Sequence, residues 1–177
     1  MKKYNIDFVP TLLLSKEAVA YEVMQRAWSQ VGTKEIDGSY VLRLVYPPFI
    51  NLTTGKFMGL VNIIYLTDNS CTECYDVKLH KQIISSPQSF AISLDKEETI
   101  DISDVKGKEL VAKYNITHVP ATILFGEVDV YPASKALKQF FTAEKDGAYV
   151  FRRVNLLGTY KDLTTNQVVK AQESEDE

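Results

Sequence analysis

The sequence predicts an α/β protein with a mixed β-sheet flanked by helices, and three observations predict it. Short β-branched and aromatic runs alternate with segments of helical periodicity. Proline and glycine punctuate the boundaries between them. The chain also repeats itself: Lys3-Tyr4-Asn5-Ile6-Asp7-Phe8-Val9-Pro10 returns as Lys113-Tyr114-Asn115-Ile116-Thr117-His118-Val119-Pro120. The match continues with Gly38 to Val45 against Gly147 to Val154, and with Leu52-Thr53-Thr54-Gly55 against Leu163-Thr164-Thr165-Asn166, at offsets of 110, 109 and 111. Residues 58 to 112 have no upstream counterpart. Read as a tandem array, residues 1–57 are the C-terminal half of a repeat whose first half is expected upstream of Met1. Residues 58–170 form one complete unit, and residues 171–177 an acidic disordered tail.

Within the complete unit, Leu60 to Leu66 is a β-branched and aromatic run bounded by Gly59 and by Thr67-Asp68-Asn69-Ser70, the pattern of a buried strand running into a loop. Tyr75, Leu79 and Ile83 recur at helical spacing and predict a helix over 73–84, stopped by Ser85-Ser86-Pro87. Residues 90–94 and 99–102 alternate apolar and polar positions as two strands do, with Asp95-Lys96-Glu97-Glu98 between them. Ser103 to Tyr114 reads as a capped helix. Val119-Pro120 leads into Ala121-Thr122-Ile123-Leu124-Phe125, another buried strand, and a first residue is where a strand accepts proline. Beyond Gly126, Pro132 opens a helix with Ala133, Leu137, Phe140 and Phe141 as its apolar stripe. Val19, Val23, Met24, Ala27, Trp28 and Val31 form the corresponding stripe upstream. Residues 147–157 and 158–169 then read as two strands joined by a tight turn at Leu157-Gly158. Arg43 and Arg152 recur between apolar neighbours as edge residues or partner contacts.

Composition excludes several classes. In 177 residues, 45% are hydrophobic and 24% charged, which fits a globular chain and not a low-complexity one. The net charge is −3, and four acids in the last five residues account for it, leaving no basic footprint for nucleic acid. No apolar run is long enough to cross a bilayer as a helix. No secretory signal follows Met1, so the chain as given reads as cytoplasmic, and an extracytoplasmic location requires an N-terminal anchor lost by truncation.

Both cysteines lie together as Cys71-Thr72-Glu73-Cys74, which excludes a multi-disulfide scaffold. The predicted helix places Cys71 at a helix start, where the field of the N-terminus favours a thiolate, and the thiolate is the form that attacks disulfides. Cys74, three residues on, is within reach to resolve a mixed disulfide. Two other readings stay open: a zinc pair, with Asp76, His80 and His118 as the other candidates, and an inert buried pair. His80 reads as a surface or partly buried helix histidine rather than a ligand. His118 is either a loop residue or a neighbour of the cysteines whose protonated ring favours the thiolate.

The strand, the loop, the C-x-x-C and a later Val-Pro opening a strand together resemble the thioredoxin-like superfamily over about residues 58 to 125. That resemblance implies a thiol-disulfide oxidoreductase acting on protein disulfides, with Cys71 as nucleophile, Cys74 as resolving thiol and Pro120 as a cis-proline facing them. His118, Val119 and Pro120 would hold the substrate strand. No cofactor and no metal are needed, and electrons would pass through an unidentified redox partner. Thr72-Glu73 replaces the Gly-Pro of thioredoxin itself, and a carboxylate beside the nucleophile implies a less acidic thiol and a reducing couple. The rival reading is a non-catalytic interaction or scaffold module, supported by the cysteine-free half-repeat with its Val9-Pro10. A truncated unit also implies an exposed sheet edge at residues 8–14, open to the complete unit or to a second chain as a homodimer.

Overall fold

The computed structural model describes residues 2–171; most of the acidic tail, residues 172–177, lies outside the described residues. The chain divides into two compact units, at Gly59/Leu60. The fold is mixed α/β, with four α-helices and several small sheets among the described residues.

In unit 1, β1 (Phe8–Val9), β2 (Leu13–Leu14), α1 (Glu22–Val31), β3 (Gly32–Lys34), β4 (Tyr40–Leu42), β5 (Phe49–Asn51) and β6 (Lys56–Met58) build two antiparallel sheets, ordered β1-β5-β6 and β2-β4-β3. Of the predicted apolar stripe on α1 only Trp28 is buried. Its ring stands edge-on to Tyr40, with centroids 5.7 Å apart, and its indole N–H donates to the Thr33 carbonyl at 3.1 Å. Val19 and Val23 are exposed. With Val41 and Phe49, these two rings make up the buried apolar core described for this unit.

Unit 2 has a five-stranded mixed sheet. Its strands β7 (Val61–Thr67), β8 (Leu94–Asp101), β10 (Ala121–Gly126), β11 (Phe141–Ala143) and β12 (Tyr149–Phe151) are ordered β11-β12-β10-β7-β8, and the β7–β8 pair is parallel. A second sheet joins β9 (His118–Val119) to the hairpin of β13 (Tyr160–Asp162) and β14 (Gln167–Val169). Three helices connect the strands: α2 (Leu79–Ser85), α3 (Val105–Lys113) and α4 (Ser134–Leu137). Alternation along the strands divides the core between the two faces of the sheet. Ile63, Tyr65, Leu124, Tyr149 and Phe151 pack with Ile84 of α2 and Leu137 of α4. Leu66, Ala121, Ile123 and Val150 pack with Tyr114 and Ile116, with Leu110 and Val111 of α3 against them.

Four expectations are corrected. The helix predicted over 73–84 begins only at Leu79, because residues 71–78 are turns and irregular backbone. The strand predicted over 90–94 is absent, because residues 90–93 are turn and irregular backbone, and the one predicted over 99–102 is the end of a longer strand, β8, that takes in the charged run: Lys96, Glu97 and Glu98 pair with β7 and keep their side chains exposed, which the alternation pattern misses. The helix after Pro132 is a single turn, and Phe141 begins β11 instead of ending a helical stripe. The strands predicted on either side of Leu157-Gly158 do not pair with each other. A 3₁₀ turn at Val154–Leu156 ends the first region, and the second folds back on itself as the β13–β14 hairpin in another sheet.

The repeat is reproduced residue by residue. Leu13↔Val41 and Leu14↔Tyr40 in unit 1 correspond to Ile123↔Val150 and Leu124↔Tyr149 in unit 2. The register Phe8↔Asn51 corresponds to His118↔Asp162. Asn5 and Asn115 both adopt a left-handed backbone, with φ of 49° and 48°. Arg43 donates to the Asn5 carbonyl and pairs with Glu35 at 2.8 Å, as Arg152 donates to the Tyr114 and Asn115 carbonyls and pairs with Glu144 at 2.6 Å. These arginines are therefore internal struts that tie the segment before each Val-Pro to the sheet.

Candidate functional site: a disulfide against a cis-proline loop

β7 delivers the chain to the site. Val61, Ile63, Tyr65 and Leu66 are buried on its two faces, so its end at Thr67 is held, and the following loop lies where the strand points. Asp68 organises that loop. Its carboxylate accepts from the Ser70 N–H at 2.8 Å and receives Lys161 Nζ from β13 at 2.6 Å, with both side chains largely buried. Burial pushes the Asp68 carboxyl up, and Lys161 and Ser70 more than offset it, leaving it below the ordinary carboxylate range. Asn69 N–H donates to Asp101 at the end of β8.

Cys71 and Cys74 follow as a disulfide across a turn, with Cα atoms 5.5 Å apart and Cys71 N–H donating to the Asp68 carbonyl at 2.9 Å. Both are half-buried. Because α2 starts eight residues after Cys71, the pair does not sit on that helix's N-terminus, and the helix field expected to favour its thiolate is not at work there. Glu73 faces Lys170 at 3.5 Å on the exposed surface.

The Val119–Pro120 bond is cis, as are Val9–Pro10 and Pro47–Pro48. Cys74 Sγ lies 3.9 Å from the Val119 carbonyl oxygen. The disulfide sulfur has no proton to donate, so this approach becomes a hydrogen bond only when the pair is reduced and Cys74 carries S–H. Val119 is fully buried, and it pairs with Lys161 of β13, so one side of the segment is already bound by the chain's own hairpin. The hairpin also binds the cysteine loop: Thr159 carbonyl accepts from Tyr75 N–H at 2.9 Å. His118 turns elsewhere. Its Nδ1 lies 2.9 Å from Thr117 Oγ1 and its ring stands edge-on to Tyr160, with no hydrogen bond to either cysteine among the described residues.

Sequence reasoning missed the group that supports the proline. Tyr75 O–H donates to the Pro120 carbonyl at 3.0 Å and lies 2.8 Å from His80 Nε2. With the single phenolic proton given to Pro120, the imidazole presents Nε2–H to the Tyr75 oxygen. His80 is 2% exposed, against the surface or partly buried position expected of it. Phe151 packs edge-on to its ring at 4.6 Å, and it lines an apolar cavity of about 260 Å³ with Ile83, Phe90, Phe140 and Leu157. Desolvation drives its pKa down to about 4, so the ring is neutral near neutrality. The two rings are also coplanar, and a spacing of five residues carries no sequence pattern that would have shown the link. Among the described residues no group of three or more His, Cys, Asp or Glu is placed to hold a metal ion.

No protein-family model, curated protein or solved structure matches the chain, so the chemistry of the site rests on its own geometry.

Proposed function

We propose that unit 2 is a thioredoxin-like domain that exchanges disulfides with protein thiols through Cys71 and Cys74. The observation that carries the reading is the contact between Cys74 Sγ and the carbonyl of Val119, the residue before the cis proline, at the end of a buried strand's loop. A carbonyl oxygen stabilises S–H and opposes a thiolate, so in the reduced pair Cys74 is the thiol that stays protonated and Cys71 the one free to ionise. Cys71 thiolate attacks one sulfur of a substrate disulfide, forming a mixed disulfide and releasing the first substrate thiolate. Cys74 gives up its proton and attacks Cys71 Sγ, which closes the intramolecular disulfide and releases the second thiolate. The substrate gains two electrons and the pair loses two, and a dithiol protein partner is needed to reduce it again. With no helix N-terminus behind Cys71, the reduced form gains little special stabilisation, which favours a reducing couple.

The test is an equilibrium titration of the whole chain in dithiothreitol buffers, with Cys71→Ser and Cys74→Ser variants offered a disulfide substrate. A reversible two-electron transition, and a trapped mixed disulfide in Cys74→Ser but not in Cys71→Ser, is the expected result. Absence of a transition sinks the reading.

A second reading, a binding module without turnover, is favoured by unit 1, which repeats the cis Val-Pro loop and its hairpin without a cysteine. It requires that neither thiol of the reduced chain alkylates faster than an ordinary cysteine at neutral pH.

A further inference from the structure

The apolar cavity of unit 2, about 260 Å³, is walled by His80 and Ile83 of α2, Phe90 beyond it, Phe140 at the step into β11, Phe151 of β12 and Leu157. It reaches the surface at Ile83, Phe140 and Leu156, which are 39%, 38% and 55% exposed. Small-molecule sites have this form, a concave apolar and aromatic wall with a few polar groups that fix orientation. Here the polar side chains of the wall are those of His80 and the exposed Ser89.

His80 is buried, and its one proton is already committed. Tyr75 gives its phenolic proton to the Pro120 carbonyl, so the neutral imidazole gives Nε2–H to the Tyr75 oxygen. Nδ1 is left as a bare acceptor, and among the described residues no donor reaches it. The described side-chain atoms that are both unpartnered and sealed from solvent are Asn62 Oδ1 and Thr122 Oγ1. Nδ1 is unpartnered without being sealed, so it opens on the space that its ring lines. A buried water is held by about two to four polar partners, and the side chains of this wall supply only Nδ1 and the exposed Ser89 hydroxyl.

A cavity of about 150 Å³ walled by aliphatic and aromatic side chains holds benzene, so by volume this one holds about ten non-hydrogen atoms. We propose that the cavity binds a compact two-ring aromatic molecule carrying one N–H or O–H donor, its rings against Phe90, Phe140 and Phe151 and its donor on His80 Nδ1. A donor at Nδ1 also holds the imidazole in the Nε2–H form that supports Tyr75 and, through it, Pro120.

Calorimetric titration of the whole chain with indole, and with benzothiophene, which has sulfur in place of the indole N–H, tests this. The nitrogen resonances of His80 are followed in labelled protein. Both probes should saturate a single site and displace each other, and only indole should move the His80 Nδ1 resonance. Phe140→Glu and Leu156→Glu each place a charge at the exposed mouth; each should weaken indole binding about tenfold and leave far-ultraviolet circular dichroism unchanged. Failure of both probes to bind, binding that neither substitution weakens, or an Nδ1 shift that benzothiophene matches overturns the proposal. The redox titration of Cys71 and Cys74 is independent of these outcomes.

Discussion

His80 makes acid a specific perturbation of this fold. Its folded pKa of about 4 lies below the value of about 6.5 for an exposed histidine, so between those limits the unfolded chain binds more protons than the folded one. Stability therefore falls as pH falls through that window. The full gap is worth about 3 kcal/mol at about 1.4 kcal/mol per pKa unit, and the linkage integral places about 2 kcal/mol of the loss between pH 7 and pH 5. Carboxylates contribute little over that interval, because they are still ionised at pH 5 in the unfolded chain. The assay is urea unfolding at pH 7, 6 and 5, comparing the wild-type chain with His80→Gln, which keeps a donor for the Tyr75 oxygen and does not titrate. Wild type should lose about 2 kcal/mol more than the variant over this range. Equal losses in the two proteins would show that His80 is protonated as easily folded as unfolded, and would refute the desolvation argued from its burial.

Three further substitutions follow from the same contacts. Tyr75→Phe removes the donor to the Pro120 carbonyl and the acceptor for His80 while keeping the ring; it should cost about 2 kcal/mol in urea unfolding and, by loosening the cis-proline loop, shift the Cys71–Cys74 midpoint in the dithiothreitol titration. Lys161→Met leaves the Asp68 carboxylate largely buried without its cation, so a loss of about 2 kcal/mol is expected at pH 7, shrinking in acid as Asp68 becomes protonated and no longer carries an unpaired charge. Gly107→Ala opposes two effects: alanine gains about 1 kcal/mol of helix propensity in α3, but its Cβ would lie 2.0 Å from the Asp101 carbonyl oxygen, so α3 must move off the end of β8 and thermal unfolding should show a net loss.

What the sequence showed and what it hid divide along local and non-local lines. β7 was legible because Val61 to Leu66 is a β-branched and aromatic run broken only by Asn62, and α3 because Asp104 precedes a periodic segment that ends at left-handed Asn115. The Cys71–Cys74 pair and the Val119–Pro120 loop could be named as neighbours, and the structure brings Cys74 and Val119 together. The late start of α2 was not legible. Tyr75, Leu79 and Ile83 keep helical spacing, yet Tyr75 is held outside the helix by Thr159 and Pro120, partners more than forty residues away. The charged run in β8 was misread for a related reason: it is a strand because β7 pairs with it, and its own alternation is masked by residues whose side chains all reach water.

The repeat shows which half of the unit supplies which part of the chemistry. Everything that recurs in unit 1 is frame: the left-handed asparagine, the arginine strut, the cis Val-Pro bond and the hairpin beside it. The cysteine pair, the Asp68 loop and the Tyr75–His80 link, which have no counterpart in unit 1, come from residues 60–112, and Val119 and Lys161 meet them from the other part of unit 2. The contact between Cys74 and Val119 joins the two parts, so neither half holds a complete site.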